Sequence, residues 1–107
     1  MKYSIFINPQ HQNQNFELYA INLINAIIRK KHQIISVFFY GHAVKFAFEK
    51  NNKWQQLSKH QIDLIACSTL AQTYQQQKLQ LSAAFKLQGL GQWMEAILDA
   101  DKKLELT

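Results

Sequence analysis

The chain of 107 residues has a single cysteine, Cys67, so it cannot close an internal disulfide. One thiol also cannot build a zinc cluster. The four histidines, His11, His32, His42 and His60, show neither HxxxH nor HxH spacing, so no metal site is expected. No run of about 18 apolar residues occurs, and none of the chain is expected to cross a membrane. The opening stretch, MKYSIFINPQ, is too brief in apolar residues for a secretory signal. With a solitary thiol, this points to a reducing, cytoplasmic setting. Only one of the twelve basic residues, Arg29, is an arginine. Forked arginine readers and aromatic platforms for bases are both missing, so direct nucleic-acid recognition is not expected. There is no GxSxG elbow. Gly89-Leu90-Gly91 lacks the third glycine of a dinucleotide fingerprint and the Lys-Ser/Thr pair of a phosphate loop, so it reads as a tight turn into a helix.

What remains is a composition suited to one globular domain spanning residues 1–107. The chain is 48% hydrophobic and 18% charged, with a net charge of +5. The basic run Arg29-Lys30-Lys31 reads as a solvated helix end, where cations suit the helix dipole. The alternative is a patch that attracts an acidic partner or RNA. Fourteen glutamines are scattered among apolar residues and read as polar helix surface.

Residues 3–8 form an apolar, β-branched run that ends at Asn8-Pro9 and predicts a strand. A polar loop is expected over 9–14. Phe16, Ala20, Leu23, Ile24, Ile27 and Ile28 have the spacing of a helix over 15–30. Residues 33–39 predict a second strand, broken by Tyr40-Gly41-His42. A short helix is expected from Ala43 to Lys50, and a helical turn or loop from Trp54 to Ser58. Residues 61–66 predict a third strand leading into Cys67, with Ser68 as the N-cap of a helix to about Lys78. Residues 83–87 predict a fourth strand. A helix with the stripe Leu90, Trp93, Met94, Ile97 and Leu98 follows, then an edge strand over 102–106.

This alternation implies βαβ units. The fold expected is α/β: a single three-layer domain with a mainly parallel five-stranded sheet and helices on both faces. Near-continuous apolar strands agree, because parallel strands are buried on both sides.

In such sheets reactive groups gather beyond the carboxyl ends of the strands. Cys67 falls there, just before a helix N-terminus, where free amides and the helix dipole favour an anion. That makes it the candidate nucleophile. The plain alternative is a buried cysteine acting as a small hydrophobe. His42, with Tyr40, sits at the end of the second strand and could lie beside Cys67 as an assisting group. The alternative there is an ordinary surface histidine.

The ordered motifs resemble one family. Ser36-Val37-Phe38-Phe39-Tyr40-Gly41, the strand Ile62–Ala66 closed by Cys67, and Phe85–Gln92 followed by Glu95-Ala96 and Ala100-Asp101-Lys102 are similar to segments of the DsrE/TusD sulfur-relay family. The resemblance runs through nearly the whole chain. It implies a sulfurtransferase subunit that carries sulfur as a persulfide on Cys67, with no cofactor, and Cys67 is the one catalytic residue the resemblance carries over; Tyr40, His42 and Ser68 are candidate assisting groups from their places at the neighbouring strand and helix ends. It also implies sister subunits in a hetero-oligomer, commonly a hexamer, and TusA-like donor and TusE-like acceptor proteins in a relay toward 2-thiouridine at the wobble position of tRNA. Two other roles belong to the same family: sulfur oxidation, and a non-catalytic subunit of a related complex. After its cysteine the family often carries a basic pair, whereas this chain reads Ser68-Thr69-Leu70-Ala71-Gln72. Self- or hetero-association is expected too, with Trp54 and Trp93 as candidate exposed aromatics to be covered.

Overall fold

The computed structural model describes residues 1–11 and 15–107, so the loop expected over 9–14 falls partly outside the described residues. Five strands, β1 (Lys2–Ile7), β2 (Gln33–Phe39), β3 (Asp63–Cys67), β4 (Phe85–Gln88) and β5 (Lys102–Leu106), form one sheet in the order β4-β3-β2-β1-β5. Every pairing is parallel. The fold is the α/β domain the sequence predicts, with β5 at an edge.

Three α-helices join the strands: α1 (Phe16–Arg29), α2 (Ser68–Gln76) and α3 (Leu90–Ala96). Between β2 and β3 the chain makes two 3₁₀ segments, Gly41–Phe48 and Gln55–His60. The first is the short helix expected over 43–50, wound as 3₁₀ and starting two residues earlier. The second lies where a turn was expected after Trp54.

Side-chain alternation on β2 separates the layers. Phe38 and Phe39 are consecutive and so point to opposite faces. Phe38 stacks on Trp93 of α3 at 4.8 Å between ring centroids. Phe39 meets Trp54 edge-on at 4.8 Å and Phe85 at 4.9 Å. Helix α3 therefore covers one face, while the 3₁₀ segments and α1 cover the other. The connectivity requires the same result. Steps β1→β2→β3→β4 run one way across the sheet and the return to β5 runs the other, so right-handed crossovers place α3 opposite the other connections.

Helix α1 buries Glu17, Ala20, Ile24 and Ile27, a three-four-three spacing that turns one face to the sheet. The carboxylate in that stripe has a partner. Trp54 Nε1 donates to Glu17 Oε2 at 2.8 Å, and Lys53 Nζ lies 3.4 Å from Oε1. This corrects the expectation for the tryptophans. Trp54 is fully buried, and Trp93 is 4% exposed with its Nε1 donating to Ser36 Oγ at 2.8 Å. Each indole N–H finds an acceptor inside, so neither ring needs an interface to shelter it.

The stripe expected on the last helix is also cut short. Trp93 and Ile97 are buried, but Met94 and Leu98 are 55% and 72% exposed. Helix α3 ends at Ala96 because Ile97 is its C-cap and the chain must turn there to enter β5. Gly41 marks the break after β2 at φ +60°, and a Cβ there would stand 2.6 Å from Asn8 Oδ1. Glycine meets both demands at once.

Candidate active site

Cys67 is the last residue of β3 and the N-cap of α2, with φ −60° and ψ 120°. Ser68, expected at the cap, is instead the first helical residue, and no side-chain capping bond forms. The strand runs one residue further than its apolar pattern, which moves the cap onto the cysteine. The thiol is free and buried, 4% exposed. The first-turn amides of α2 follow it directly, and these are the groups that an anion at a helix start would meet.

The neighbours come from register. Phe39 pairs with Ala66, so the next residues, Tyr40 and Cys67, stand side by side at the carboxyl ends of β2 and β3. On the other side Cys67 pairs with Gln88, the last residue of β4. Tyr40 is half-buried and its ring packs near Phe6 and Phe38. The Oε1 atom of Gln88 is buried with no hydrogen-bond partner among the described residues. Gln88 was not anticipated, because the apolar run of that strand stops at Leu87 and nothing in it marks the polar residue beyond as inward-facing.

Topology bears on this place as well. The chain leaves β3 into α2 on one face and leaves β4 into α3 on the other. Adjacent strands with diverging exits leave a crevice at their carboxyl ends, the place where open α/β sheets bind ligands. Cys67 and Gln88 are the paired last residues of these two strands.

His42 is exposed, in the 3₁₀ segment just after Tyr40. It lines a polar hollow of about 420 Å³ with Asn8, Gly41, Leu70, Thr73 and Tyr74. Helix α2 forms one wall of that hollow, yet Cys67 is not among its lining residues. The Glu49 carboxyl, which lies elsewhere, is displaced from its ordinary range. Burial, then the nearby Glu17 carboxylate, push Glu49 upward, and Lys53 and Lys45 partly offset this. Among the described residues no group of three His, Cys, Asp or Glu side chains could hold a metal ion, and no helix is long and apolar enough to cross a membrane.

A parallel five-stranded domain with a single thiol at a strand-to-helix exit defines a class of small α/β thiol proteins. The chain belongs to the DsrE/DsrF-like family, whose model matches residues 1–106. It is 27% identical to a protein named sulfurtransferase TusD homolog from Pasteurella multocida (strain Pm70), over 95% of this chain and 97% of that one. A TusD homolog from Vibrio vulnificus (strain YJ016) is 28% identical, over 98% and 97%. A putative sulfurtransferase DsrE from Allochromatium vinosum is 26% identical, over 95% of each. The crystal structure of the ychN protein from E. coli superposes with a TM-score of 0.80 over 98% of both chains, at 18% identity, a likeness of fold.

Proposed function

We propose that this chain is a sulfurtransferase subunit that carries sulfur on Cys67 in a relay. The observation that carries the reading is the position of the only thiol, at the α2 N-cap and at the carboxyl end of β3, where β3 and β4 send the chain to opposite faces. Family membership and the names of the relatives support it. The Cys67 thiolate attacks the outer sulfur of a donor persulfide. A new S–S bond forms, the donor S–S bond breaks, and the donor leaves as a thiolate. An acceptor thiolate then attacks the outer sulfur of Cys67-S-SH and restores the Cys67 thiolate. Two-electron exchange of this kind is balanced without an external oxidant and needs neither metal nor organic cofactor. Tyr40 follows β2 beside Cys67 in register, Ser68 follows it in sequence, and these two with His42, two residues beyond Tyr40, are the candidate assisting groups. The relay leads toward 2-thiouridine in tRNA. Its donor and acceptor are TusA-like and TusE-like proteins, its setting is the cytoplasm, and the chain works with sister subunits in a hetero-oligomer, a hexamer in the family's usual form.

The burial of Cys67 favours a second reading, a non-catalytic subunit in which the thiol only packs. Intact-mass measurement separates the two. After exposure of the native protein to a persulfide donor and removal of excess donor, the carrier gains one sulfur atom that a fresh thiol then removes, and Cys67→Ser gains none. A native chain that stays at its original mass, while its unfolded form accepts sulfur, is a scaffold.

A further inference from the structure

On the face opposite Cys67's helix, α3 leaves a cavity of about 300 Å³ against β1 and β5. Ser4 and Phe6 of β1, Trp93, Ile97 and the exposed Met94 line it, and Lys103 and Glu105 of β5 stand beside them. Two serines face each other across the β1–β2 ladder at this level, Ser4 opposite Ser36. Their situations differ. Ser36 Oγ accepts the indole N–H of Trp93, whereas Ser4, 1% exposed, has an Oγ with no hydrogen-bond partner among the described residues. A buried hydroxyl left unpaired is costly, and a ligand that meets it removes that cost.

We propose that this cavity binds a small, neutral, planar aromatic molecule of one or two rings, oriented by an N–H or O–H that donates to Ser4 Oγ. The volume lies at the lower end of the range for small-molecule sites, about 300–1,000 Å³. The wall explains the preference for a ring. Phe6 and Trp93, both in the lining, have ring centroids 5.8 Å apart at 26°, and Trp93 also lies 4.8 Å from Phe38, so a planar ring entering the cavity meets an aromatic cluster. The preference for a neutral molecule follows from the charges. Lys103 and Glu105 oppose one another, and the apolar interior gives an ion nothing to replace its hydration. The site is separate from the sulfur-carrying crevice and does not depend on it.

Indole and 1-methylindole are the probes, because they share a ring system and differ in the N–H. Titrated into the full chain and followed by NMR, indole shifts the signals of Ser4, Phe6, Trp93 and Leu104 saturably. 1-Methylindole binds roughly two- to ten-fold more weakly, the worth of one hydrogen bond. Ser4→Ala erases that preference, while its thermal midpoint stays level or rises because no bond is lost in the free protein. Absence of saturation up to the solubility limit of indole overturns the proposal, as does equal affinity for the two probes in the native chain. Signals of this face that move with protein concentration alone, with a dimer in sedimentation, show a second copy covering the cavity and overturn it as well.

Discussion

Glu17 sits in the inward stripe of α1, yet it is a carboxylate with 7% exposure. It is tolerated because the Trp54 indole N–H reaches it, with Lys53 approaching from a largely exposed position. Asn52 fixes the approach. Its Oδ1 accepts the Trp54 amide at 3.0 Å, and its Nδ2 donates to the Phe46 carbonyl. Trp54→Phe keeps most of the ring packing and removes the donor. The expected loss is about 1–3 kcal/mol of folding free energy, the cost of a buried acceptor left short of a partner. Urea unfolding measures it, and an unchanged midpoint means that water reaches Glu17. This pairing was hidden in the sequence for a physical reason. The residues are 37 apart, and only the fold brings a tryptophan at the start of a 3₁₀ segment onto a helix in the first crossover. The clue present was spacing alone, since Glu17 falls in register with Ala20, Ile24 and Ile27.

At the scale of elements, the strands were the legible part. Their two-sided burial leaves near-continuous apolar runs such as Ile35–Phe39 and Leu64–Ala66, and those runs survive any uncertainty about neighbours. The ends were less legible, because caps are decided by where the chain must turn. Cys67 takes the cap expected of Ser68, and β4 reaches Gln88 where the pattern stops at Leu87. The 3₁₀ winding of Gly41–Phe48 leaves no periodic mark in eight residues. Helix α3 shows most plainly what an apolar pattern omits. Ile97 and Leu98 are adjacent and equally apolar, but one is its buried C-cap and the other lies past it in solvent. Ile97→Ala is expected to cost about 2–4 kcal/mol, as truncations in a packed core do, and Leu98→Ala less than about 0.5 kcal/mol. Parallel denaturant titrations compare them. Equal losses would mean that α3 runs on beyond Ala96.

At the scale of the molecule, the candidate site was legible in the placement of its thiol and hidden in its access. A strand followed at once by a helix places Cys67 at a carboxyl end. Only the strand order reveals that β3 and β4 send the chain to opposite faces and so leave a crevice there. Access then becomes the question that the carrier reading must answer, because the thiol is 4% exposed in the single chain. Sulfur transfer requires a local opening around the start of α2. Helix α2 suits that role. It has nine residues and buries only Ala71, and its Tyr74 rests on Phe48 of the well-buried Gly41–Phe48 segment at 5.1 Å. Elements with few buried contacts open without global unfolding. The expected behaviour is that iodoacetamide labels Cys67 in the native protein more slowly than a free thiol, at a rate nearly independent of low urea. Leu57→Ala, a core truncation in the second 3₁₀ segment, lowers global stability by about 2–5 kcal/mol and leaves that rate close to unchanged. If labelling instead accelerates in step with the lost stability, the sulfur is reached only through global unfolding. A thiol reached that way cannot hand sulfur from one folded protein to another, and Cys67 is then a packing residue in a subunit whose partners do the chemistry.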